Sequence, residues 1–274
     1  MPRTHAARAA APASASSARA PHTPTRLPIV FAHRGLPTRA PENTLAAFRL
    51  AREAGARWLE LDVDILADGT PIVLHDSTLD RTTNRSGSIY ALSSGDLSRV
   101  DAGAWFSPQY AGEPIPTLAE VVELLNETGM HCNVELKSNE VGGAEALRLV
   151  ENTLRELENL NAECEIIISS FNPLLLAEVH RRAPQYTLGA LFDHTTLHAD
   201  WRSIAELCGA TYVHVEDHPS LAQFVPRARE AGFGVNVWTV NSRGRANELF
   251  NMGATGVFTD IVDEMIGLEA LHSA

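Results

Sequence analysis

The sequence predicts an α/β fold: a (β/α)8 TIM barrel with a small insertion after the second strand. From about residue 27 onward, short apolar runs alternate with amphipathic segments of helical length, and eight such units can be counted. Strands that alternate with helices form parallel sheets, and eight strand–helix units close a barrel. A length of 274 residues suits one such domain. A doubly wound open sheet is the alternative.

The candidate strands are short runs rich in β-branched and other apolar residues. In chain order the eight barrel strands are predicted at 28–33, 57–63, 132–137, 165–170, 188–192, 212–215, 234–240 and 256–260. A ninth run, 71–75, follows the second strand after a short link that contains Asp68-Gly69. A parallel crossover needs a dozen or more residues. We therefore predict that this run is an antiparallel arm outside the barrel.

Amphipathic segments between the strands predict the helices. The first covers 44–55 and has Asn and Thr residues at its start that can cap it. Further helices are predicted at 117–129 and 220–232. The last of these contains Pro226, which predicts a helix that is kinked or that starts late.

Composition divides the chain into a tail and one domain. Residues 1–26 are rich in Ala, Pro and Ser, with four Arg and no acidic residue. The repeated Pro favours a disordered tail over an organellar transit peptide. Residues 27–274 form the barrel domain in this interpretation. The turn-rich segment at about 77–116 is predicted to be the insertion, with an aromatic cluster of its own. That cluster comprises Tyr90, Trp105, Phe106 and Tyr110.

Charge and cysteine content exclude several classes of function. The net charge of -12 argues against nucleic-acid binding, which needs clustered cations, and against docking on anionic membranes. No apolar run approaches the ~20 residues of a membrane span. The cysteines Cys132, Cys164 and Cys208 form no CxxC pair, which is typical of free thiols in a reducing compartment. The predicted location is therefore cytoplasmic, and the oligomeric state stays open.

Acidic residues are concentrated on the polar faces of two predicted strands. Strand side chains alternate with a period of two, so Glu60 and Asp62 share one face of the second strand. Glu135 lies on a face of the third strand. Barrel active sites are built at the carboxyl ends of the strands. Three carboxylates that converge there repel each other unless they are protonated or bound to a metal. The pattern predicts a site for one divalent cation, Mg²⁺ or Ca²⁺.

Cationic side chains and histidines surround the predicted metal site. Arg34 and Lys137 lie beside the carboxylates and are suited to hold a phosphate. His33 and His75 each end an apolar run, and two histidines next to a phosphate can act as general acid and base. For either histidine alone, a structural role is the alternative. A zinc pair of His194 and His198 is a weaker hypothesis, and no serine-hydrolase, Rossmann or P-loop motif is present.

Several motifs in order resemble one known family. They are AHRG, PENT, ELDV, LHD, LDRTTN, NVELK, SSF and VWTVN, between about residues 28 and 265. Together they are similar to the bacterial glycerophosphodiester phosphodiesterases, above all the cytosolic type that accompanies glycerol-3-phosphate uptake. That family has a (β/α)8 barrel with an insertion after the second strand, which agrees with the fold predicted above.

The resemblance implies a role for each candidate residue. It implies metal binding by Glu60, Asp62 and Glu135, acid–base catalysis by His33 and His75, and substrate binding by Arg34, Glu42, Lys137 and Trp238. The implied reaction is metal-dependent hydrolysis of a small glycerophosphodiester, such as glycerophosphocholine or glycerophosphoethanolamine, to sn-glycerol 3-phosphate and an alcohol. Alternatives are a lysophospholipase D, a sphingomyelinase-like toxin and a non-catalytic binding module.

Overall fold

The computed structural model describes residues 28–137 and 142–272. The tail predicted over residues 1–26 lies outside these residues. Strand β1 (Ile29–His33) pairs in parallel with both β2 (Trp58–Ile65) and β9 (Gly256–Thr259). The first strand therefore closes the sheet. The predicted barrel is confirmed, and the open-sheet alternative is wrong.

The other strands follow the predicted order. They are β3 (Pro71–Val73), β4 (His131–Leu136), β5 (Ile166–Ser170), β6 (Thr187–Phe192), β7 (Tyr212–Glu216) and β8 (Gly234–Trp238). Every barrel pairing is parallel, whereas β3 pairs antiparallel with β2 and stays outside the barrel. The antiparallel arm predicted after the second strand is thus confirmed, because the link between the two strands is too short for a crossover.

Helices connect the strands and cover the outside of the barrel. They are α1 (Leu45–Glu53), α2 (Leu118–Thr128), α3 (Gly143–Leu157), α4 (Pro173–Arg182), α5 (Trp201–Leu207), α6 (Leu221–Glu230), α7 (Arg243–Asn251), α8 (Val262–Met265) and α9 (Leu268–Leu271). Thr44 caps α1, and its hydroxyl accepts from the amide of Ala47. Among the described residues, no helix has both the length and the apolar composition needed to span a membrane.

Of the two alternatives that Pro226 suggested for helix α6, the late start is wrong. The helix begins at Leu221 and runs through Pro226. Leu221, Phe224 and Val225 lie on its buried face and pack into the main core. Burial of these side chains favours the helix upstream of the proline and offsets the backbone hydrogen bond that proline cannot make.

The segment between β3 and α2 contains three short 3-10 helices, at Ile89–Ala91, Ser94–Arg99 and Pro108–Tyr110. A separate cluster of aliphatic residues supports it, including Leu79, Ile89, Leu97 and Val100. The predicted aromatic cluster is correct only in part. Phe106 contacts both Trp105 and Tyr110, with ring centres 5.8 Å apart in each pair. The Tyr90 hydroxyl instead donates to Asp64 on β2, and the neighbouring Ile89 belongs to the same apolar cluster as Ile72 of β3.

The interior of the barrel is apolar in its lower part and polar in its upper part, at the carboxyl ends of the strands. The lower part is filled by Phe31, Trp58, Ile167, Tyr212 and Phe258. Polar side chains occupy the layers above them, towards the carboxyl ends of the strands, where barrel active sites form.

Candidate active site

A cavity of about 260 Å³ opens at the carboxyl ends of the barrel strands. Seven of the nine predicted site residues line it: His33, Arg34, Glu60, His75, Glu135, Lys137 and Trp238. Asp62 is buried beside them and contacts Lys137. Glu42 lines an adjoining cavity, which shares His33 and Arg34 with the first. The fold therefore brings all nine residues to one end of the barrel.

The three predicted metal carboxylates form one cluster. Glu60, Asp62 and Glu135 each offer an oxygen atom, and these atoms lie within 4.8 Å of one another. The cluster arises because Asp62 on β2 and Glu135 on β4 are register partners, while Glu60 lies one inward position earlier. Lys137 Nζ lies 2.8 Å from a Glu135 oxygen and 3.2 Å from an Asp62 oxygen.

Charge in the cluster is not balanced by protein groups alone. Burial and the neighbouring Asp62 charge raise the pKa of Glu60 to about 8, so this side chain holds a proton at neutral pH. Burial opposes ionisation of Asp62 as well, but Lys137 and Arg34 hold its pKa well below the usual value. A divalent cation would take the place of the proton on Glu60. The carboxylate oxygens are the type of ligand that Mg²⁺ and Ca²⁺ prefer. The residues present therefore fit a divalent cation.

A carboxylate orients His33. Nδ1 of His33 lies 2.7 Å from Asp260 Oδ1, and the second Asp260 oxygen accepts from Asn241 at 2.7 Å. Nε2 is then the ring atom left for proton exchange, and it lies 3.9 Å from Glu60. Burial lowers the pKa of His33, but Asp260 and Glu60 raise it further than burial lowers it.

His75 has the same arrangement with a different partner. Its Nδ1 lies 2.6 Å from Asp76 Oδ1. Arg81 donates to both Asp76 oxygens and holds the pKa of Asp76 down to about 2, so this carboxylate stays ionised. Asp76 was not among the predicted site residues, although it directly follows His75 in the LHD motif. Asp260 was not predicted either, and its only signal in the sequence was an acidic residue at the end of the last predicted strand.

Arg34 lies on the turn after β1, in a left-handed conformation with φ 54°. Its backbone amide donates to a Glu60 carboxylate oxygen at 3.0 Å. Its guanidinium donates to Glu42 at 2.9 Å and lies 3.2 Å from Asp62. Glu42 also accepts two hydrogen bonds from Arg81, each 2.8 Å long. Both Glu42 oxygens are thus occupied by arginines, an arrangement that orients Arg34.

The two histidines suggested as a zinc pair do not lie on a helix. His194 contacts Glu216 through Nδ1 and stacks on His218, with ring centres 5.4 Å apart. His198 takes no part in this contact, because residues 193–197 form a turn instead of the helix that would align the two side chains. The helix that the hypothesis of a His194–His198 zinc site assumed is therefore absent.

His214 on β7 is a buried, neutral histidine. Burial lowers its pKa to about 3. The unfolded chain binds a proton here below a pKa of ~6.5, while the folded protein does not until about pH 3. Stability from this group is therefore complete above pH ~6.5 and falls as the pH drops, by up to ~1.4 kcal/mol per unit. We expect the wild type to lose ~2 kcal/mol more than His214→Phe between pH 6.5 and 5.

Urea unfolding at pH 7, 6 and 5 measures this difference. All other titrating groups are common to both proteins. The difference between their free energies of unfolding therefore changes with pH only through His214. His218→Ala removes an exposed histidine that follows the same strand, β7, and serves as the control. Equal pH dependence in the wild type and His214→Phe would contradict the prediction.

Comparison with known proteins places the chain in a family. Residues 33–264 match the model of the "Glycerophosphoryl diester phosphodiesterase family". A glycerophosphodiester phosphodiesterase from Caldanaerobacter subterraneus subsp. tengcongensis is 35% identical over 242 residues, covering 88% of this chain and 97% of the relative. One from Bacillus subtilis is 30% identical, with 92% and 89% covered.

Solved structures agree with these sequence matches. An Oleispira antarctica phosphodiesterase, solved in complex with the product sn-glycerol-3-phosphate, superposes with a TM-score of 0.81 at 32% identity, covering 87% of this chain and 95% of that one. A glycerophosphodiester phosphodiesterase from Thermotoga maritima gives a TM-score of 0.70 at 26% identity, with 88% and 97% covered. The chain therefore belongs to the glycerophosphoryl diester phosphodiesterase family, a family of hydrolases.

Proposed function

We propose that this protein hydrolyses small glycerophosphodiesters, such as glycerophosphocholine and glycerophosphoethanolamine, to sn-glycerol 3-phosphate and an alcohol. One observation carries the proposal: in a chain of this family, two histidines held by carboxylates face a cavity that also contains an arginine, a lysine and an acidic cluster. A location in the cytoplasm is part of the proposal, supported by the free thiols of Cys132, Cys164 and Cys208.

Each group has a role in this mechanism. Glu60, Asp62 and Glu135 hold one Mg²⁺ or Ca²⁺, which when bound would neutralise developing negative charge. Arg34 and Lys137 bind the phosphate. One of His33 and His75 removes a proton from the attacking oxygen, and the other protonates the leaving alcohol.

The remaining site residues support those that react. Asp260 and Asp76 keep the Nε2 atoms of the two histidines free for proton transfer. Glu42 acts by holding Arg34, and Trp238 packs against the glycerol or alcohol carbons. The negative net charge of the chain supports a small-molecule substrate and not nucleic acid.

A lysophospholipase D activity is the second candidate, and one observation favours it. Phe171 lines the cavity, packs edge-on against Trp238 with ring centres 5.6 Å apart, and is 42% exposed. Leu174, at the start of α4, is 76% exposed. These apolar side chains could contact an acyl chain.

An assay that measures released sn-glycerol 3-phosphate from glycerophosphocholine and glycerophosphoethanolamine tests the proposed activity. Lysophosphatidylcholine is assayed in parallel by the release of choline. We expect the two water-soluble diesters to be the faster substrates. Faster cleavage of lysophosphatidylcholine would favour the second candidate, and no cleavage of any of the three would contradict both.

A further inference from the structure

One arginine from the segment between β3 and α2 contacts two carboxylates of the active site at once. Nη1 and Nη2 of Arg81 donate to the two oxygens of Glu42, each at 2.8 Å. Its Nε and Nη2 donate to the two oxygens of Asp76, at 2.7 and 3.0 Å. Bidentate pairs of this kind fix geometry as well as charge. Arg81 lines neither of the two active-site cavities, so it acts on a substrate only through these carboxylates.

Through Glu42, Arg81 influences the phosphate-binding side of the site. The Glu42 oxygen that accepts from Arg81 Nη2 also accepts from Arg34 Nη1, at 2.9 Å. Arg34 lies 3.2 Å from Asp62 as well, so two carboxylates compete with a phosphate for its charge. Arg81 balances the charge of Glu42 and fixes its position. Without Arg81, Glu42 would pair with Arg34 alone, and phosphate binding would weaken.

Through Asp76, Arg81 influences the proton-transfer side of the site. Asp76 Oδ1 lies 2.6 Å from His75 Nδ1 and also accepts from Arg81 Nη2. The side chains of His75 and Asp76 are 34% and 25% exposed, and an ion pair in contact with water holds its geometry only weakly by itself. Because Arg81 binds both Asp76 oxygens, it fixes the carboxylate that orients the His75 ring.

Local hydrogen bonds hold the segment that carries Arg81. The Leu79 amide donates to the Gly87 carbonyl at 2.9 Å, and the Thr83 hydroxyl donates to the Leu79 carbonyl at 2.7 Å. The Leu79 side chain is buried in the aliphatic cluster that supports this segment. The position of Arg81 is therefore set by the fold of the segment and not only by its two partners. A residue that orients others needs such support.

We propose that Arg81 is a positioning residue that aligns both halves of the active site. By holding Glu42, it keeps Arg34 available to the phosphate. By holding Asp76, it aligns His75 for proton transfer. The inference rests on the proposed function and adds to that reaction a residue from the insertion. Loss of this one guanidinium affects substrate binding and acid–base chemistry together, whereas loss of either carboxylate partner interrupts one of the two.

The variant Arg81→Ala tests the two effects with separate measurements. We expect kcat for glycerophosphocholine to fall at least ~10-fold, because His75 is no longer aligned. We expect the dissociation constant of sn-glycerol 3-phosphate to rise at least ~10-fold, because Glu42 then occupies Arg34. Steady-state kinetics give the first quantity. Calorimetry gives the second without any turnover.

Two further variants show whether the loss is specific. Arg81→Lys keeps the charge but donates from a single nitrogen, so it cannot hold two carboxylates bidentately; its kcat/KM should stay at least ~10-fold below the wild type. Arg245 also bridges two carboxylates, Asp217 and Glu248, but none of these three residues lines an active-site cavity. Arg245→Ala is therefore the matched control and should keep the wild-type values. Melting temperatures show whether each variant is folded.

Double variants show through which partner Arg81 acts. In the Asp76→Asn background, Arg81→Ala should lower kcat by less than a further ~3-fold, because the carboxylate that it fixes is already neutral. In the Glu42→Gln background, it should change the dissociation constant of sn-glycerol 3-phosphate by less than ~3-fold. Each background should keep the other effect at full size. A purely structural role would reduce both quantities equally in every background.

The outcomes separate this inference from the proposed function. The crossed pattern, with kcat lost through Asp76 and binding lost through Glu42, supports the inference. Equal losses in every background, an effect on only one quantity, or wild-type values in folded Arg81→Ala would overturn it. If Arg81→Ala does not fold, Arg81→Lys takes its place in the same comparison. A wild type that neither cleaves the proposed diesters nor binds sn-glycerol 3-phosphate would contradict the proposed function, and the inference with it.

Discussion

EDTA treatment is expected to abolish the hydrolysis of glycerophosphocholine, and added Mg²⁺ or Ca²⁺ is expected to restore it. The physical reason is the surplus of buried negative charge at Glu60, Asp62 and Glu135, which without a cation forces a proton onto Glu60. Loss of a bound cation removes several kcal/mol of transition-state stabilisation. At ~1.4 kcal/mol per decade this predicts a rate at least ~10³-fold lower. Release of sn-glycerol 3-phosphate is the measurement.

Single substitutions assign the effect to the cluster. Glu60→Gln and Glu135→Gln should each reduce activity and weaken the increase in melting temperature that the divalent cation gives the wild type. Asp64→Asn is the matched control, because Asp64 is equally buried on the same strand but accepts from the Tyr90 hydroxyl. Full activity after EDTA treatment would contradict the assignment of these carboxylates. A wild-type melting temperature that does not change when the cation is added would contradict it as well.

His33→Ala and His75→Ala are each expected to lower kcat by ~10²–10⁴-fold, the range for a positioned general acid or base. Both rings line the cavity, and a carboxylate engages the Nδ1 of each, so each presents Nε2 to the substrate. Steady-state kinetics with glycerophosphocholine in the presence of the cation give kcat and KM separately. Loss of an acid or base acts mainly on kcat.

An exposed histidine at the same end of the barrel provides the control. His218 follows β7 and does not line the cavity, so His218→Ala should retain wild-type kcat. Melting temperatures of the three variants test whether the fold is intact. Wild-type kcat in both His33→Ala and His75→Ala would exclude the two-histidine mechanism, whereas a loss in only one would leave a single acid–base group.

The sequence was sufficient for the fold because its signals are local. Alternation with a period of two separates Glu60 and Asp62 from the apolar residues on the opposite face of the same strand, and this separation depends only on backbone geometry. The antiparallel arm followed from the length of one link. The alternative of a late start for α6 was wrong because a rule about Pro226 is local, while the burial of Leu221 and Phe224 is a tertiary effect.

The partners of the site residues depend on contacts that the sequence does not reveal. Asp260 reaches His33 across 227 positions of the chain because closure of the barrel places β9 beside β1. Arg81 reaches Glu42 only because the segment after β3 returns over the turn that follows β1.

By itself, the sequence determined the barrel, the residues that face its interior and the family, because strand periodicity and short motifs are properties of neighbouring residues. The tertiary structure decided which partners the buried polar side chains of the barrel interior obtain. The Asn133 amide contacts the Ser169 hydroxyl on the next strand, and the His214 ring contacts the Asn236 amide. Hydrogen-bond complementarity depends on register between strands, and register is established only when the barrel closes.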